Sequence, residues 1–290
     1  MVIAIIKEMR VYQWVKNTLI FVPLLLSHTY TDLGVVFVSL IAFIAFSLCA
    51  SSVYIINDLC DVESDRKHPI KKFRPIAAGM LSPFVAKITA LLLFVIALAV
   101  ALQVNQEFVL VFLAYFILTF AYSFGLKELA IIDVLILGGL YTLRIIAGIY
   151  AIDVDMSFWL LVFSLFIFIS LAMLKRFIEL KNMEERNEEK MTRRGYEVGD
   201  ADLISKMGIV SSYIAILVIA LYIHDPLVTV KYSTPIWLWL VIPAMLYWLS
   251  RIWLIANRGQ LHEDPVLFAL RDKASYVVVI VCLVSVLVAI

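Results

Sequence analysis

The chain has 290 residues, of which 63% are hydrophobic and only 16% charged, with a net charge of +1. A soluble globular domain is about half apolar and one quarter charged, so this composition excludes one. Apolar runs of ~20 residues, each long enough to cross a hydrocarbon core as a helix, recur about nine times. The short alternating segments of a membrane β-barrel are absent. The expected fold is all-α: a polytopic membrane protein forming one integral membrane domain over residues 1–290, a bundle of about nine transmembrane helices.

The chain begins MVIAIIKEMRVYQWVKN, a short apolar stretch followed by Lys7, Arg10 and Lys16. That pattern suits an interfacial lead-in rather than a signal peptide. Spans are predicted over 17–31, 33–56, 82–103, 107–124, 131–150, 157–175, 207–224, 235–256 and 275–290. Pro23 and His28 interrupt the first, which neighbouring helices can tolerate. The longest polar stretch, Glu179 to Lys206, is dense in both charge signs and reads as a charged helical hairpin or lid at the membrane surface. Within it Glu184, Glu185, Glu188 and Glu189 read as a solvated helix face. The other connections are short, so sequential helices should be antiparallel neighbours. Cys49, Cys60 and Cys282 show no paired spacing and support neither a disulfide nor a zinc site. The tryptophans fall mostly near span ends, as an interfacial aromatic belt requires.

Positive charge is distributed unevenly. Lys7, Arg10, Lys16, Arg66, Lys67, Lys71, Lys72, Arg74, Lys127, the cluster from Lys175 to Lys206, Arg251, Arg258, Arg271 and Lys273 collect on one side. The opposite loops hold only Lys231. The positive-inside rule then places the N-terminus and the charged loops in the cytoplasm, in an inner or plasma membrane.

The densest ionisable stretch is Asn57 to Gly79, NDLCDVESDRKHPIKKFRPIAAG. If the second span continues as a helix through Asp65, then Asp58, Asp61 and Asp65 fall within an arc of about 60°, with Glu63 pointing away. Three aligned carboxylates repel unless a cation joins them. Hard oxygen ligands suit Mg²⁺, which also accepts substrate phosphate oxygens. Lys71, Lys72 and Arg74 then read as phosphate ligands. The bland alternative is a solvated cytoplasmic loop, which the helical alignment and the adjoining basic block disfavour. His68, beside Pro69, reads as a hydrogen-bonding group before a metal ligand.

Arg144 lies in the middle of the fifth span, on nearly the same helix face as Asp133 and about 16 Å from it along the axis. A buried arginine is costly, at least ~2.5 kcal/mol, so it either pairs with a neighbouring helix or meets a phosphate in a polar pocket. Lys175, Arg176 and Glu179 share one side of the end of the sixth span. They read as interfacial snorkelling or as a site for phosphate or ribose. Lys127 reads as an anchor or a phosphate ligand.

The run Asn57-Asp58-x-x-Asp61-x-x-x-Asp65 resembles the first aspartate-rich motif of the UbiA superfamily of intramembrane prenyltransferases. The continuation through Arg66, His68-Pro69, Lys71, Arg74-Pro75-Ile76-Ala77 and Gly79 is similar to one branch, the decaprenyl-phosphate phosphoribosyltransferases. So are Gln13-Trp14-x-Lys16-Asn17, Tyr122-Ser123-x-x-Leu126-Lys127, Asp133-Val134, Arg144-x-x-Ala147-Gly148 and Lys175-Arg176-x-x-Glu179-Leu180. The resemblance covers residues 10–205 and implies a UbiA-like fold. It implies Asp58, Asp61 and Asp65 as catalytic metal ligands for Mg²⁺. It implies Lys16, Asn17, Asn57, Lys71, Arg74, Tyr122, Lys127, Arg144, Lys175, Arg176 and Glu179 as substrate-binding residues. The implied partners are 5-phosphoribosyl 1-diphosphate and a polyprenyl phosphate lipid, with no nucleic acid. Members that use prenyl diphosphates carry a second acidic motif after the sixth span, where this chain has Lys175-Arg176-Phe177-Ile178-Glu179. That departure favours a sugar-phosphate donor over prenyl transfer to an aromatic acceptor, which remains the alternative. A transporter without chemistry is the reading from another class.

Overall fold

The computed structural model describes residues 1–67, 70–186, 194–261 and 264–290. His68 and Pro69, and the middle of the expected hairpin with Glu188 and Glu189, lie outside the described residues. Among the described residues seven helices are long and apolar enough to cross a membrane, and two shorter apolar ones, Val11–Leu26 and Lys273–Ala289, stand where the first and last spans were expected. The chain is an all-α, multi-pass membrane protein. It comprises two compact units, one of residues 1–127 and 143–156, the other of 128–142 and 157–290.

The first unit starts with helix α1 (Val2–Glu8), a 3₁₀ stretch over Val11–Phe21, and α2 (Val22–Leu26). Pro23 sits in the first turn of α2, where its missing N–H breaks no helical bond. The expected first span, 17–31, therefore begins earlier and stops at Leu26; beyond it His28 adopts φ 59°. Because a 3₁₀ helix rises about 2.0 Å per residue, this piece still approaches the thickness of a hydrocarbon core.

Helix α3 (Leu33–Cys60) is the unit's axis. Asp32 caps it, accepting from the Gly34 N–H at 2.8 Å. Beyond its C-terminal end comes α4 (Val62–Lys67), then α5 (Pro83–Ala101) and α6 (Gln106–Phe124). Ser82 and Asn105 cap α5 and α6 in the same way. Each cap satisfies backbone donors that neither lipid nor the helix itself can. Helix α3 packs along α5 and touches both α6 and the 3₁₀ stretch. Phe46 of α3 meets Phe112 of α6 edge-on, with ring centroids 5.8 Å apart.

Helix α7 spans Ile132–Ala151. In its later half, a Cβ on Gly148 would collide with the Ile20 carbonyl, so helix and 3₁₀ stretch approach backbone to backbone.

The second unit holds the earlier half of α7, α8 (Phe158–Glu184), α9 (Ala201–His224), α10 (Pro226–Thr229), a 3₁₀ turn over Pro235–Leu240, α11 (Val241–Asn257), α12 (Pro265–Ala269) and α13 (Lys273–Ala289). Helix α8 runs to Glu184, well past the expected end at residue 175, because the polar residues that follow continue the helix. Helices α8 and α9 pack along each other. A Cβ on Gly208 of α9 would run into the Trp253 indole, whose N–H donates to Ser170 Oγ at 3.1 Å. Gly208→Val should displace that ring and lower stability by about 1–3 kcal/mol. Thermal unfolding in detergent reads this directly, and an unchanged Tm would show that the indole has room to move.

Candidate active site

Helix α3 does not run unbroken through Asp65. It ends at Cys60, Asp61 is its C-cap, and α4 resumes at Val62. The helical hydrogen bonds nevertheless carry across the break. Asp61 N–H donates to the Asn57 carbonyl at 3.0 Å and Asp65 N–H to the Asp61 carbonyl at 2.8 Å. The aspartates thus stay on related turns.

Three cations from distant parts of the chain meet these carboxylates. Arg10 donates to both oxygens of Asp58, to Oδ1 at 2.6 Å, and lies over the Tyr54 ring at 5.2 Å. Arg74 Nη1 donates to Asp58 Oδ1 at 3.0 Å and to Asp65 Oδ2 at 2.6 Å. Lys127 Nζ donates to the Asp61 oxygens at 3.2 and 3.1 Å and to Asn57 Oδ1 at 3.3 Å. Asn57 Nδ2 completes that set by donating to Asp61 Oδ2 at 3.1 Å. Asp58, Asp65 and Lys127 are 2%, 3% and 5% exposed, so pairing is a requirement and not an ornament. Burial pushes the Asp65 carboxyl up against the pull of Arg74. The exposed Lys71 also acts on Asp65, lowering it. Glu8, on the last turn of α1, is pushed up to about 8 by burial, with the neighbouring Asp58 adding to the rise. Tyr122 and Lys16 are partly buried, on the last turn of α6 and in the 3₁₀ stretch.

Among the described residues no three acidic, histidine or cysteine side chains stand close enough to hold an ion as they are, because the oxygens are turned to Arg10, Arg74 and Lys127. The donor set still fits a hard divalent cation. It offers three carboxylates and an amide oxygen around the junction of α3 and α4, and Asp58 and Asp65 already converge on a single cationic nitrogen.

A second polar cluster in this unit surrounds Arg144, which is 5% exposed. Its Nε donates to Asn17 Oδ1 at 2.8 Å, its Nη2 to the Tyr115 hydroxyl at 2.9 Å, and its guanidinium lies over the Tyr115 ring at 4.9 Å. Asn17 Nδ2 donates to Ser47 Oγ at 3.0 Å. The tight approach of Gly148 to Ile20 lies one turn from both Arg144 and Asn17 and sets their distance.

In the second unit Arg176 has no exposed surface. It forks onto Asp133, Nε to Oδ2 at 2.5 Å and Nη2 to Oδ1 at 3.3 Å, and Nη1 reaches Glu179. Arg194 Nη1 adds a bond to Asp133 Oδ1 at 2.9 Å, and the Tyr196 hydroxyl accepts from Ile131 N–H at 2.9 Å. Lys175, adjacent in sequence, pairs instead with Asp264 at 3.3 Å and keeps 35% of its side chain exposed. The expected pair of cations is therefore divided. Arg176 is engaged by carboxylates, and Lys175 presents a partly open ammonium.

Arg10, Glu8, Asp133, Arg194 and Tyr196 join these clusters although the sequence pattern does not mark them as site residues. Arg10 had a usable signal, since it stands three residues ahead of Gln13-Trp14. A basic residue before a first span looks the same whether it anchors or reaches inward.

The model of the UbiA prenyltransferase family matches residues 18–288. An uncharacterised protein of Sinorhizobium fredii is 41% identical over 93% of this chain, which spans 53% of that protein's length. The nodulation protein NoeC of Azorhizobium caulinodans is 30% identical over 93% of this chain and 88% of its own. The decaprenyl-phosphate phosphoribosyltransferase of Mycolicibacterium smegmatis is 38% identical over 67% of this chain and 62% of its own. Among solved structures, that of a UbiA homologue from Archaeoglobus fulgidus bound to GPP and Mg²⁺ has a TM-score of 0.72 at 15% identity, covering 99% of this chain and 98% of that one. The fold, the acidic end of α3 and the family match agree: the chain belongs to the UbiA prenyltransferase family.

Proposed function

We propose that the chain is a Mg²⁺-dependent transferase that moves phosphoribose from 5-phosphoribosyl 1-diphosphate to a polyprenyl, decaprenyl-like phosphate and releases diphosphate. The observation that carries the sugar donor is the 38% identity to a decaprenyl-phosphate phosphoribosyltransferase over 67% of the chain. Its N-terminus and charged loops would face the cytoplasm, where a soluble donor is found.

In this reading Asp58, Asp61 and Asp65 would hold Mg²⁺, which would supply positive charge to the departing diphosphate. The bond from ribose C1 to the diphosphate oxygen breaks, and the diphosphate leaves with the bonding electron pair. Arg10, Arg74 and Lys127, now matched to carboxylates, exchange part of that pairing for phosphate oxygens, and Lys71 and Asn57 add donors beside them. An oxygen of the acceptor phosphate forms the new bond to C1. It is already an anion, so no side chain has to take a proton. Lys16, Asn17, Tyr122 and Arg144 are assigned to the substrates in the first unit. In the second unit Lys175 is assigned to a phosphate, with Arg176 and Glu179 shaping its helix end.

A second reading keeps the same departing diphosphate but places it on a prenyl group transferred to an aromatic acceptor. The fold likeness to a homologue bound to GPP and Mg²⁺ favours it. Protein in nanodiscs is offered ¹⁴C-labelled phosphoribosyl diphosphate with polyprenyl phosphate, or labelled prenyl diphosphate with aromatic acids. Label entering the lipid extract from the first donor supports phosphoribosyl transfer. Label entering product only from the second overturns it.

A further inference from the structure

We infer that Glu8 is a fourth carboxylate of the acidic site, a hard-oxygen ligand for the divalent cation alongside Asp58, Asp61 and Asp65. This rests on the cation reading of those aspartates and extends it to the N-terminal helix.

Helix α1 turns one stripe inward. Met1, Val2, Ile3 and Ile6 are exposed, while Ala4 and Glu8, one turn apart, are buried. Ala4 packs with Ile55 of α3 and with Ile76 and Leu81. The same stripe carries Glu8 to the end of α3, where it interacts with Asp58. The Glu8 side chain is 1% exposed, and neither Oε1 nor Oε2 receives a hydrogen bond.

A buried carboxyl without a donor costs free energy, and one beside a second carboxylate costs more. Arg10 lies two residues on and could have answered it, yet Arg10 spends its guanidinium on Asp58. Every other carboxylate of the cluster has a cationic hydrogen-bond partner; Glu8 receives no donor and faces Asp58, the aspartate that shares Arg74 with Asp65. A divalent cation joining Glu8 to Asp58 would answer the open oxygens and the like-charge contact together.

Mn²⁺ serves as the probe, read by electron paramagnetic resonance on the full chain in nanodiscs with inorganic diphosphate present. Wild type should bind Mn²⁺, and Glu8→Gln should raise Kd about tenfold or more. Glu8→Asp, which keeps the carboxylate, should fall between them. The cation-free Tm of Glu8→Gln should equal or exceed that of wild type, since it loses an unanswered carboxyl. An unchanged Kd in Glu8→Gln and Glu8→Ala overturns the inference, as does a lower cation-free Tm for Glu8→Gln. Wild type that binds no Mn²⁺ is a separate result, and it overturns the cation reading of the three aspartates as well.

Discussion

Asp58→Asn should reduce turnover by on the order of 10²–10³-fold, equivalent to about 3–4 kcal/mol of lost transition-state stabilisation. The Asn keeps the shape and one acceptor oxygen for Arg10, so the fold should persist. It loses the negative charge on which Arg10 and Arg74 converge. Asp61→Asn should behave alike, because Lys127 and Asn57 are arranged around that one carboxylate. Initial rates against Mg²⁺ concentration check both variants, with Tm measured on the same preparations. Retention of more than a tenth of wild-type rate by a folded Asp58→Asn protein would place the chemistry elsewhere. A transporter would keep its flux in these variants, so the same measurement removes or revives that class.

The largest expected loss of stability comes from the second unit. Asp133→Ala should cost about 3–5 kcal/mol, because it leaves a guanidinium buried without its main partner. Arg176 has no exposed surface, and its fork onto Asp133 supplies two of its bonds. Glu179 retains one contact, and Arg194 also loses its bond to Asp133. Unfolding in detergent should show a Tm drop on the order of 10 °C. The double variant Asp133→Leu, Arg176→Met should recover most of it, since apolar groups of similar volume can replace a buried ion pair at little cost. If Asp133→Ala unfolds like wild type, the pair is not structural, and Arg176 becomes available to a substrate phosphate after all.

The apolar runs announced the helices, because in lipid a run of that length has few other options. Their ends were harder to read. Helix α8 continues past residue 175 because Arg176 finds a carboxylate on α7, a partner that hydropathy does not reveal. The first expected span contracts at Pro23 and His28, where the sequence did carry the warning.

The acidic set was legible because its members follow helical spacing along one segment. Its counter-ions were not, since Arg10 lies 48 residues from Asp58 and Lys127 lies 66 from Asp61. Only tertiary packing brings them there. Glu8 was the least legible: an acid in an interfacial lead-in looks solvated until Ala4 and its stripe are seen to be buried. The Lys175-Arg176 pair was read as one basic feature, but a 100° step per residue separates its members, and each found a different acid.

The central claim is that the acidic end of α3 expels diphosphate from a phosphoribosyl donor onto a lipid phosphate. The most direct test measures, in one reaction, inorganic diphosphate released and phosphoribose recovered in the lipid extract, using purified chain in nanodiscs with both substrates and Mg²⁺. The account predicts equal amounts of the two, each requiring polyprenyl phosphate and each lowered on the order of 10²–10³-fold in Asp61→Asn. Diphosphate released from a prenyl diphosphate, with no phosphoribose entering the lipid, would contradict it.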